Sequence, residues 1–399
     1  MILVSRMTGL RPSPAIPCLT PKRGPLQILV KEFPLETIPW AAATGEGRPI
    51  GKPQSRFMIR SKTTFVLGPG AAAELHFPGS AETLERIAAA LDFSRATANQ
   101  MTRDMAAILR HVGKLAERTG RSEEQLYRAA QRIHQSAKVG RTVEGVIDQN
   151  DDDPLVEAFG KLALAVFTLQ SEQRSSVRAA PQVAGGLPMQ TGDYWLTELG
   201  RLICASLPRS RLEQGLADVS LVSFTYDRSA EHVLPYVVST AYGMTLQEAQ
   251  RMVASRLKVF HPLGSVGRLP WQSGDGPDVD WGNEQAWNIA ALSAHIRTAG
   301  QAMKDRVALG ALRAAVAASS RIVFLGFDFA PAALDLMVDG SLSHNPELVI
   351  CAPGLVGPNR DAAIRMLKRK TGVERDDRLI FAEGRCLDLL KDYTLLLES

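Results

Sequence analysis

Hydrophobic and polar residues follow three different patterns along the chain. A short apolar run ends at Leu67, and helical patterns of apolar residues follow it from about residue 80 to about residue 210. After Val219, short apolar runs alternate with further helical patterns. Strands that alternate with helices form a mainly parallel sheet with helices on both faces. The pattern therefore predicts an α/β fold with a large helical insertion, about 80–210, between the first and second strands.

The same pattern predicts the individual elements. Ser122 before two glutamates, and the acidic run 151–153 before Pro154, are typical of helix starts. One long helix is predicted over about 287–318. The predicted strands are 57–68, 219–224, 257–260, 322–326, 348–351 and 379–381.

The composition changes at about residue 57. The first 56 residues hold eight basic and three acidic residues and nine prolines, whereas the whole chain has a net charge of +4, so the remainder is close to neutral. So many prolines exclude a continuous amphipathic helix, and with it a mitochondrial presequence. We expect 1–57 to be a poorly ordered basic arm and 58–399 to be the folded domain, with Met58 as a candidate native start.

Charge and cysteine spacing exclude several classes of function. The near-neutral body gives no support for nucleic-acid binding, and the sequence contains no apolar run long enough to span a membrane and no signal-peptide pattern. The four cysteines form no C-x-x-C pair, so neither a zinc site nor a disulfide framework is predicted. We expect a cytoplasmic protein without a bound metal. The cysteines, expected to be buried thiols, are Cys18, Cys204, Cys351 and Cys386.

The loop after the first strand reads G-x-G-x-x-A over 68–73. Glycines there let the backbone approach an anion, and amides at the start of the next helix supply donors, as in a nucleotide-phosphate cradle. Pro69 removes one of those donors. An ordinary strand–turn–helix is the alternative interpretation of this motif.

Polar or glycine residues also end three later strands, at 225–228, 261–265 and 326–328. Ligands of parallel α/β sheets bind beyond the carboxyl ends of the strands, so we expect these segments to converge on one crevice. Asp227 either holds a substrate amide or ribose or caps the following helix. Thr225 places a hydroxyl in the crevice. His261 is either a general base acting on a sugar hydroxyl or a structural histidine.

Together these segments resemble the sirtuin-like (silent-information-regulator-two-like) domain of bacterial NAD-consuming antiphage-defence proteins. In that family the first strand ends in G-A-G-A-S, later strands end in F-N-Y-D-R and in H-x-x-G-S, and a closing strand reads F-L-G-F. The corresponding segments are 68–72, 224–228, 261–265 and 324–327, and the resemblance covers about 60–385.

The resemblance implies a Rossmann-like NAD-binding domain that cleaves the nicotinamide–ribose bond of NAD. It implies that Asp227 contacts the nicotinamide side, that His261 is the base, and that Thr225 completes the catalytic group. NAD or a related adenine nucleotide is the expected ligand, and a second copy or another defence protein is a candidate partner. The implied nucleotide-binding residues are Gly68, Gly70, Ala71, Gly264, Ser265, Gly326 and Phe327.

The chain departs from the family at several of these positions. Thr225 replaces an asparagine whose amide both donates and accepts hydrogen bonds. Pro69 replaces an alanine, Ala72 replaces a serine, and Ala330 and Ala332 stand where the family has polar residues. These losses support a second hypothesis, a catalytically degenerate module that binds a nucleotide or acts as a scaffold without turnover. Deacetylation is not predicted, because deacetylases similar to this domain carry a four-cysteine zinc module.

Overall fold

The computed structural model describes residues 59, 61–93, 101–205, 207–274, 276–286 and 288–398. The predicted arm 1–57 and Met58 lie outside the described residues, so their expected disorder and role stay predictions.

Six parallel strands form one sheet in the order β3-β2-β1-β4-β5-β6. β1 lies at the centre, and Thr63 is in register with Val219 on one side and with Arg321 on the other. This arrangement confirms the predicted α/β, Rossmann-like fold. The strands are Thr63–Leu67 (β1), Val219–Ser223 (β2), Lys258–Phe260 (β3), Arg321–Leu325 (β4), Glu347–Cys351 (β5) and Leu379–Ala382 (β6).

Between β1 and β2, the described residues form helices and no strand of the sheet, as the helical patterns predict. These helices are Pro69–Ala73 (α1), Ser80–Ala90 (α2), Arg103–Thr119 (α3), Glu123–Ser136 (α4), Val143–Gln149 (α5), Pro154–Arg174 (α6), Trp195–Cys204 (α7) and Leu212–Ala217 (α8). Those after β2 are Ser229–Tyr242 (α9), Leu246–Arg256 (α10), Ile289–Leu292 (α11), Ala299–Ala302 (α12), Arg306–Ala317 (α13), Pro331–Met337 (α14), Gly357–Thr371 (α15), Cys386–Asp392 (α16) and Thr394–Leu397 (α17).

Apolar residues cover both faces of the sheet, which explains why its central strands are continuous apolar runs. Phe65, Leu67 and Leu221 belong to the buried cluster on one face, and Val66 and Val222 belong to the cluster on the other. Successive side chains of a strand point to opposite faces, so each central strand contributes to both clusters.

A third buried cluster forms the interior of the helical insertion around α6. Phe159, Leu162 and Val166 of α6 are fully buried, and α2, α3, α4 and α5 pack against this helix. Residues from the loops after β2 and β3, such as Tyr226 and Val266, join the same cluster, so it also packs the insertion against the carboxyl edge of the sheet.

The predicted helix starts at Ser122 and in the acidic run are confirmed. Ser122 Oγ accepts a hydrogen bond from Gln125 N, and Asp153 Oδ1 accepts one from Leu155 N. The strand predicted to begin at residue 57 begins instead at Thr63 among the described residues.

The long helix predicted over about 287–318 is wrong. The segment contains α11, a 3-10 turn at Ser293–His295, α12 and α13. Thr298 Oγ1 accepts from Gln301 N at 3.4 Å, and Asp305 Oδ1 accepts from Ala308 N at 3.1 Å. Both side chains therefore act as helix N-caps, which restart the backbone inside a stretch that has continuous helical periodicity.

Candidate functional site

The loops after β1 and β4 are pressed together at the carboxyl edge of the sheet. The Gly68 amide donates to Leu325 O at 2.9 Å, and the Gly70 amide donates to Gly326 O at 2.8 Å. A Cβ on Gly68 would lie 2.5 Å from Gly326 O, and a Cβ on Gly326, whose φ is +60°, would overlap the Ala71 nitrogen. The glycines are thus required by close backbone packing.

The backbone amides that were expected to bind a nucleotide phosphate are hydrogen-bonded within the protein instead. Pro69 has no N–H, and the amides of Ala71 and Ala72 both contact Gly68 O, at 3.0 and 3.4 Å. Together with the two glycine amides, every backbone N–H from Gly68 to Ala72 has an acceptor inside the protein. In this arrangement the loop has no unused amide to offer an anion.

Aromatic rings fill the space next to the glycine contact. Phe327, which is 2% exposed, lies with its ring centroid 5.2 Å from that of Phe224, 5.6 Å from that of Phe324 and 5.1 Å from that of Phe329. The predicted nucleotide residue Phe327 is therefore part of an apolar cluster between the ends of β2 and β4.

A cavity opens on the other side of β1, between the ends of β1 and β2 and the helical insertion. Its volume is about 100 Å³, which is room for several water molecules. We call it the strand-end cavity. It is lined by Pro69, Ala72, Phe77, Pro78, Ser80, Thr83, Val143, Glu144, Leu164, Phe167, Thr168, Ser171, Phe224, Thr225, Tyr226 and Asp227.

The charged side chains of this cavity are both acidic. Glu144 and Asp227 contribute carboxylates, and none of the described residues that line the cavity is Lys, Arg or His. Five lining residues carry aliphatic hydroxyls, namely Ser80, Thr83, Thr168, Ser171 and Thr225. The cavity therefore favours a neutral, hydroxyl-bearing or cationic group over an anion.

Asp227 contacts the start of the following helix, as one of its two predicted roles implies. Its Oδ1 accepts hydrogen bonds from Ser229 N, at 3.0 Å, and from Ser229 Oγ, so the carboxylate is bound to the first residue of α9. The same side chain lines the strand-end cavity while being only 7% exposed. The contacts with Ser229 hold one oxygen in place beside the cavity.

The next residue, Arg228, is anchored by a buried ion pair with Glu172 at the end of α6. Arg228 Nε and Nη2 donate to the two carboxylate oxygens at 3.0 and 2.6 Å, and the backbone amides of Arg228 and Gly282 donate to the same carboxylate. Both side chains are at most 1% exposed. A buried pair with so many partners ties the end of β2, and with it Asp227, to the helical insertion.

The partner of Arg228 is not the residue that its spacing along the chain favours. The sequence spacing favours an ion pair between Arg228 and Glu231 on one helix face. In the structure Arg228 pairs with Glu172, and Glu231 pairs with His261. Burial of Arg228 beneath the insertion, which local spacing does not show, changes both partners.

His261 lies with Nε2 2.7 Å from Glu231 Oε1 and Nδ1 3.4 Å from Thr225 O. Both neighbours are acceptors, so a doubly protonated ring satisfies both contacts. Burial lowers the pKa of His261, but the Glu231 charge and hydrogen bond, the Asp227 charge and the Thr225 carbonyl outweigh it and raise the pKa overall. Burial raises the pKa of Glu231, and the His261 charge and hydrogen bond outweigh this and lower it. A base role for His261 requires one of its two contacts to open.

Thr225 lines the strand-end cavity and a second cavity of about 20 Å³ behind it. Its Oγ1 lies 2.9 Å from Ser223 Oγ. Gly68, Ala71, Asp227 and Glu231 also line the smaller cavity, which has the size of one or two water molecules. The hydroxyl of Thr225 therefore already has a partner inside the protein.

The predicted residues Gly264 and Ser265 do not line either of these cavities. Gly264 has a φ of +83°, and a Cβ there would overlap the His295 carbonyl oxygen. Ser265 Oγ donates to Gly267 O at 3.3 Å. Both residues shape the loop after β3, whereas Asp227 and Thr225 meet at the strand-end cavity.

Sequence reasoning missed Glu144, which reaches the cavity from the first turn of α5. Tyr226 Oη donates to Glu144 Oε1 at 2.6 Å. Burial, and then the Glu144 charge, raise the pKa of Tyr226 well above its ordinary value, so the phenol stays protonated as a donor. The only sequence signal for this pair is the position of Tyr226 inside the 224–228 motif. Glu144 had none, because it lies 82 residues away.

Comparison with known proteins found no match for this chain, either among protein-family models or among curated proteins. Within the described ranges, no helix is long and apolar enough to cross a membrane. The same residues contain no group of three or more His, Cys, Asp or Glu side chains placed to hold a metal ion.

Proposed function

We propose that this chain is a sirtuin-like NAD-binding protein that hydrolyses the bond between nicotinamide and ribose. The observation that carries the proposal is the charge of the strand-end cavity, where Asp227 and Glu144 are accompanied by hydroxyls and by no basic side chain among the described lining residues. The nicotinamide ring of NAD is a cation, and breaking its ribose bond passes through an oxocarbenium-like state. Carboxylates at the reacting centre stabilise both.

The proposed reaction uses the negative charge of the cavity carboxylates. The C1′–N bond breaks, its electron pair neutralises the pyridinium nitrogen, and nicotinamide leaves. A water oxygen then bonds to C1′, and a carboxylate accepts the water proton. In this proposal Asp227 stands at the nicotinamide side and Glu144 faces it across the cavity, while Tyr226 holds Glu144 in place through their 2.6 Å hydrogen bond.

His261 and Glu231 act behind the cavity in this proposal. Their ion pair, with the Nδ1 contact to the Thr225 carbonyl, connects the loop after β3 to the loop after β2. It places Thr225 and Asp227 and does not react directly. A role in bacterial antiphage defence is part of the same proposal and rests on the resemblance alone.

The test is nicotinamide release from NAD by the purified full chain, with ADP-ribose measured as the second product. We expect both products in equal amounts and at least about a 100-fold slower rate for Asp227→Asn. Absence of release at every protein concentration, and with candidate partner proteins added, would contradict hydrolysis.

A second candidate function, nucleotide binding without turnover, is favoured by the contacts of Thr225 and His261. The Thr225 hydroxyl is held by Ser223, and both ring nitrogens of His261 have partners, so neither group is free to position water. This candidate predicts that NAD raises the melting temperature without being consumed. It also predicts that Thr225→Asn, which restores an amide at this position, produces measurable nicotinamide release.

A further inference from the structure

We propose that the phosphate of the substrate is bound by Arg86 of α2 and Arg174 of α6, on the helical insertion, and not by the glycine loop after β1. The inference rests on the proposed function and names the part of the molecule that binds the charged half of the substrate.

The first argument is that the usual place for a phosphate is occupied. Each amide from Gly68 to Ala72 is hydrogen-bonded within the protein, and Pro69 has none to offer. The described lining of the strand-end cavity contains two carboxylates and no basic side chain. A phosphate in either place would lack donors or face like charge.

The second argument is the position of an adjoining cavity, which we call the outer cavity. Its volume is about 260 Å³. It shares Phe77, Pro78 and Ser171 with the strand-end cavity, so the two cavities adjoin. The outer cavity is lined by His76, Phe77, Pro78, Glu82, Arg86, Ser171 and Arg174.

Arg86 connects the two cavities. Its guanidinium carbon lies 4.9 Å from the ring centroid of Phe167, and Phe167 is part of the strand-end cavity wall. Arg86 Nη2 also donates to Asp104 Oδ2 at 3.1 Å. The ring and the carboxylate together orient the guanidinium at the boundary between the cavities.

Arg174 completes the group from the last turn of α6. Its Nη2 lies 3.5 Å from Asp104 Oδ1, and its side chain is 39% exposed. Asp104 is therefore shared by two arginines, and the longer contact leaves Arg174 able to turn toward a ligand. Glu82 also lines the outer cavity, so the two guanidinium groups supply hydrogen-bond donors while Glu82 and Asp104 limit the net positive charge of the site.

The ligand class follows from the chemistry of the two cavities. The carboxylates of the strand-end cavity match the charge of a pyridinium ribose. Two guanidinium groups match a 5′-phosphate on that ribose, because their planar forks bind phosphate oxygens in pairs. In this proposal a nucleoside uses only the strand-end cavity, whereas a nucleotide uses both cavities.

The experiment measures the dissociation constants of nicotinamide riboside, nicotinamide mononucleotide and NAD for the full chain and its variants. We expect Arg86→Gln and Arg174→Gln each to weaken the mononucleotide and NAD about tenfold or more, and to leave the riboside, which has no phosphate, unchanged. Arg128→Gln is the matched control, because Arg128 forms an exposed ion pair with Glu124 on α4 of the same insertion. It should change none of the three constants.

A variant that is expected to strengthen the binding of the phosphate-bearing ligands keeps the test independent of folding defects. Asp104→Asn removes the carboxylate that both arginines share, and it should tighten the mononucleotide and NAD several-fold without affecting the riboside. Equal weakening of all three ligands by the arginine variants, or no effect on the phosphate-bearing ligands, would overturn the inference while leaving the proposed function intact. Failure of the unmodified chain to bind any of the three ligands would overturn the proposed function itself.

Discussion

Two neighbouring regions at the carboxyl edge of the sheet are built in opposite ways. Between β1 and β4, Gly68 and Gly70 pack against Gly326, and the amides of the loop all have partners within the backbone. Between β1 and β2, polar side chains of Thr225 and Asp227 face a cavity that the helical insertion covers. Backbone contacts close the region between β1 and β4, whereas side chains line an open cavity between β1 and β2. We call them the closed region and the open region.

The difference shows that a glycine motif at a strand end has two physical meanings. Glycine allows a ligand to approach the backbone, and it equally allows another loop to do so. Here the second loop occupies that position. The strand-end cavity lies one strand away, and its walls come from α2, α5 and α6 together with Pro69 and Ala72 of the glycine loop.

Gly326→Ala gives the largest expected effect, and it tests the closed region. At a φ of +60° the new Cβ would overlap the Ala71 nitrogen, so the two loops must separate. We expect the free energy of unfolding in urea to fall by about 4 kcal/mol. Gly310→Ala is the control, because no atom lies within 4 Å of its Cβ position in α13, and it should gain up to about 1 kcal/mol. Unchanged stability with lost NAD binding would assign Gly326 to the ligand instead.

Asp227→Asn tests the open region and should produce the reverse pattern. Asparagine keeps an oxygen acceptor for the contacts with Ser229, so we expect the stability to change by less than about 1 kcal/mol. Loss of the charge should lower nicotinamide release about 100-fold, measured at saturating NAD. Asp193→Asn, which removes an exposed carboxylate paired with Lys391, is the matched control. A stability loss as large as that of Gly326→Ala would show that Asp227 is chiefly structural.

Glu231→Gln tests the ion pair behind the open region through its pH dependence. The pKa of His261 is raised above 6.5, so its contribution to stability is fully present below pH 6.5 and is lost as the pH rises through the folded-state pKa. The pKa of Glu231 is lowered below 4.5, so its contribution is present above pH 4.5 and is lost as the pH falls through the folded-state value. The difference in unfolding free energy between wild type and variant should therefore be largest between pH 4.5 and 6.5, at about 2 kcal/mol.

The control for that measurement is Glu157→Gln, whose partner is Lys161 at 2.8 Å. This pair contains no histidine, so we expect the cost of this substitution to be constant between pH 6 and pH 9. If the cost of Glu231→Gln is equally constant up to pH 9, then His261 does not titrate as the geometry predicts.

Glu144→Gln has the smallest expected effect and separates charge from shape in the cavity. Glutamine keeps an acceptor for Tyr226 Oη while removing one negative charge. We expect the dissociation constant of the cationic nicotinamide riboside to rise about tenfold, which corresponds to about 1.4 kcal/mol. Neutral nicotinamide serves as the control ligand and should bind with unchanged affinity. Equal weakening of both ligands would indicate a change of cavity shape.

Local patterns in the sequence account for much of the fold. The apolar runs predict all six strands, and the caps at Ser122 and Asp153 are recognised because they involve residues within one helical turn. The caps at Thr298 and Asp305 carry the same kind of signal inside an apolar periodic stretch. There the periodicity alone predicts one helix where the chain forms several.

The candidate site is less visible in the sequence, because its parts are distant along the chain. Asp227 and Thr225 are predictable from their strand-end position, and the structure places both at the cavity. Glu144 joins them from 82 residues before Tyr226, and Glu172 joins Arg228 from 56 residues away. No local period relates such pairs, so only the packing of the insertion against the sheet brings them together.

The sequence by itself determined the alternation of strands and helices, the parallel sheet and the strand ends at which polar residues stand, because these depend on neighbours within a few residues. The tertiary structure decided what each strand end does. Whether Gly68 faces a ligand or Gly326 depends on how closely two loops approach, and whether Asp227 faces water or a cavity depends on where α5 and α6 lie. Those distances are set by the packing of all three buried clusters.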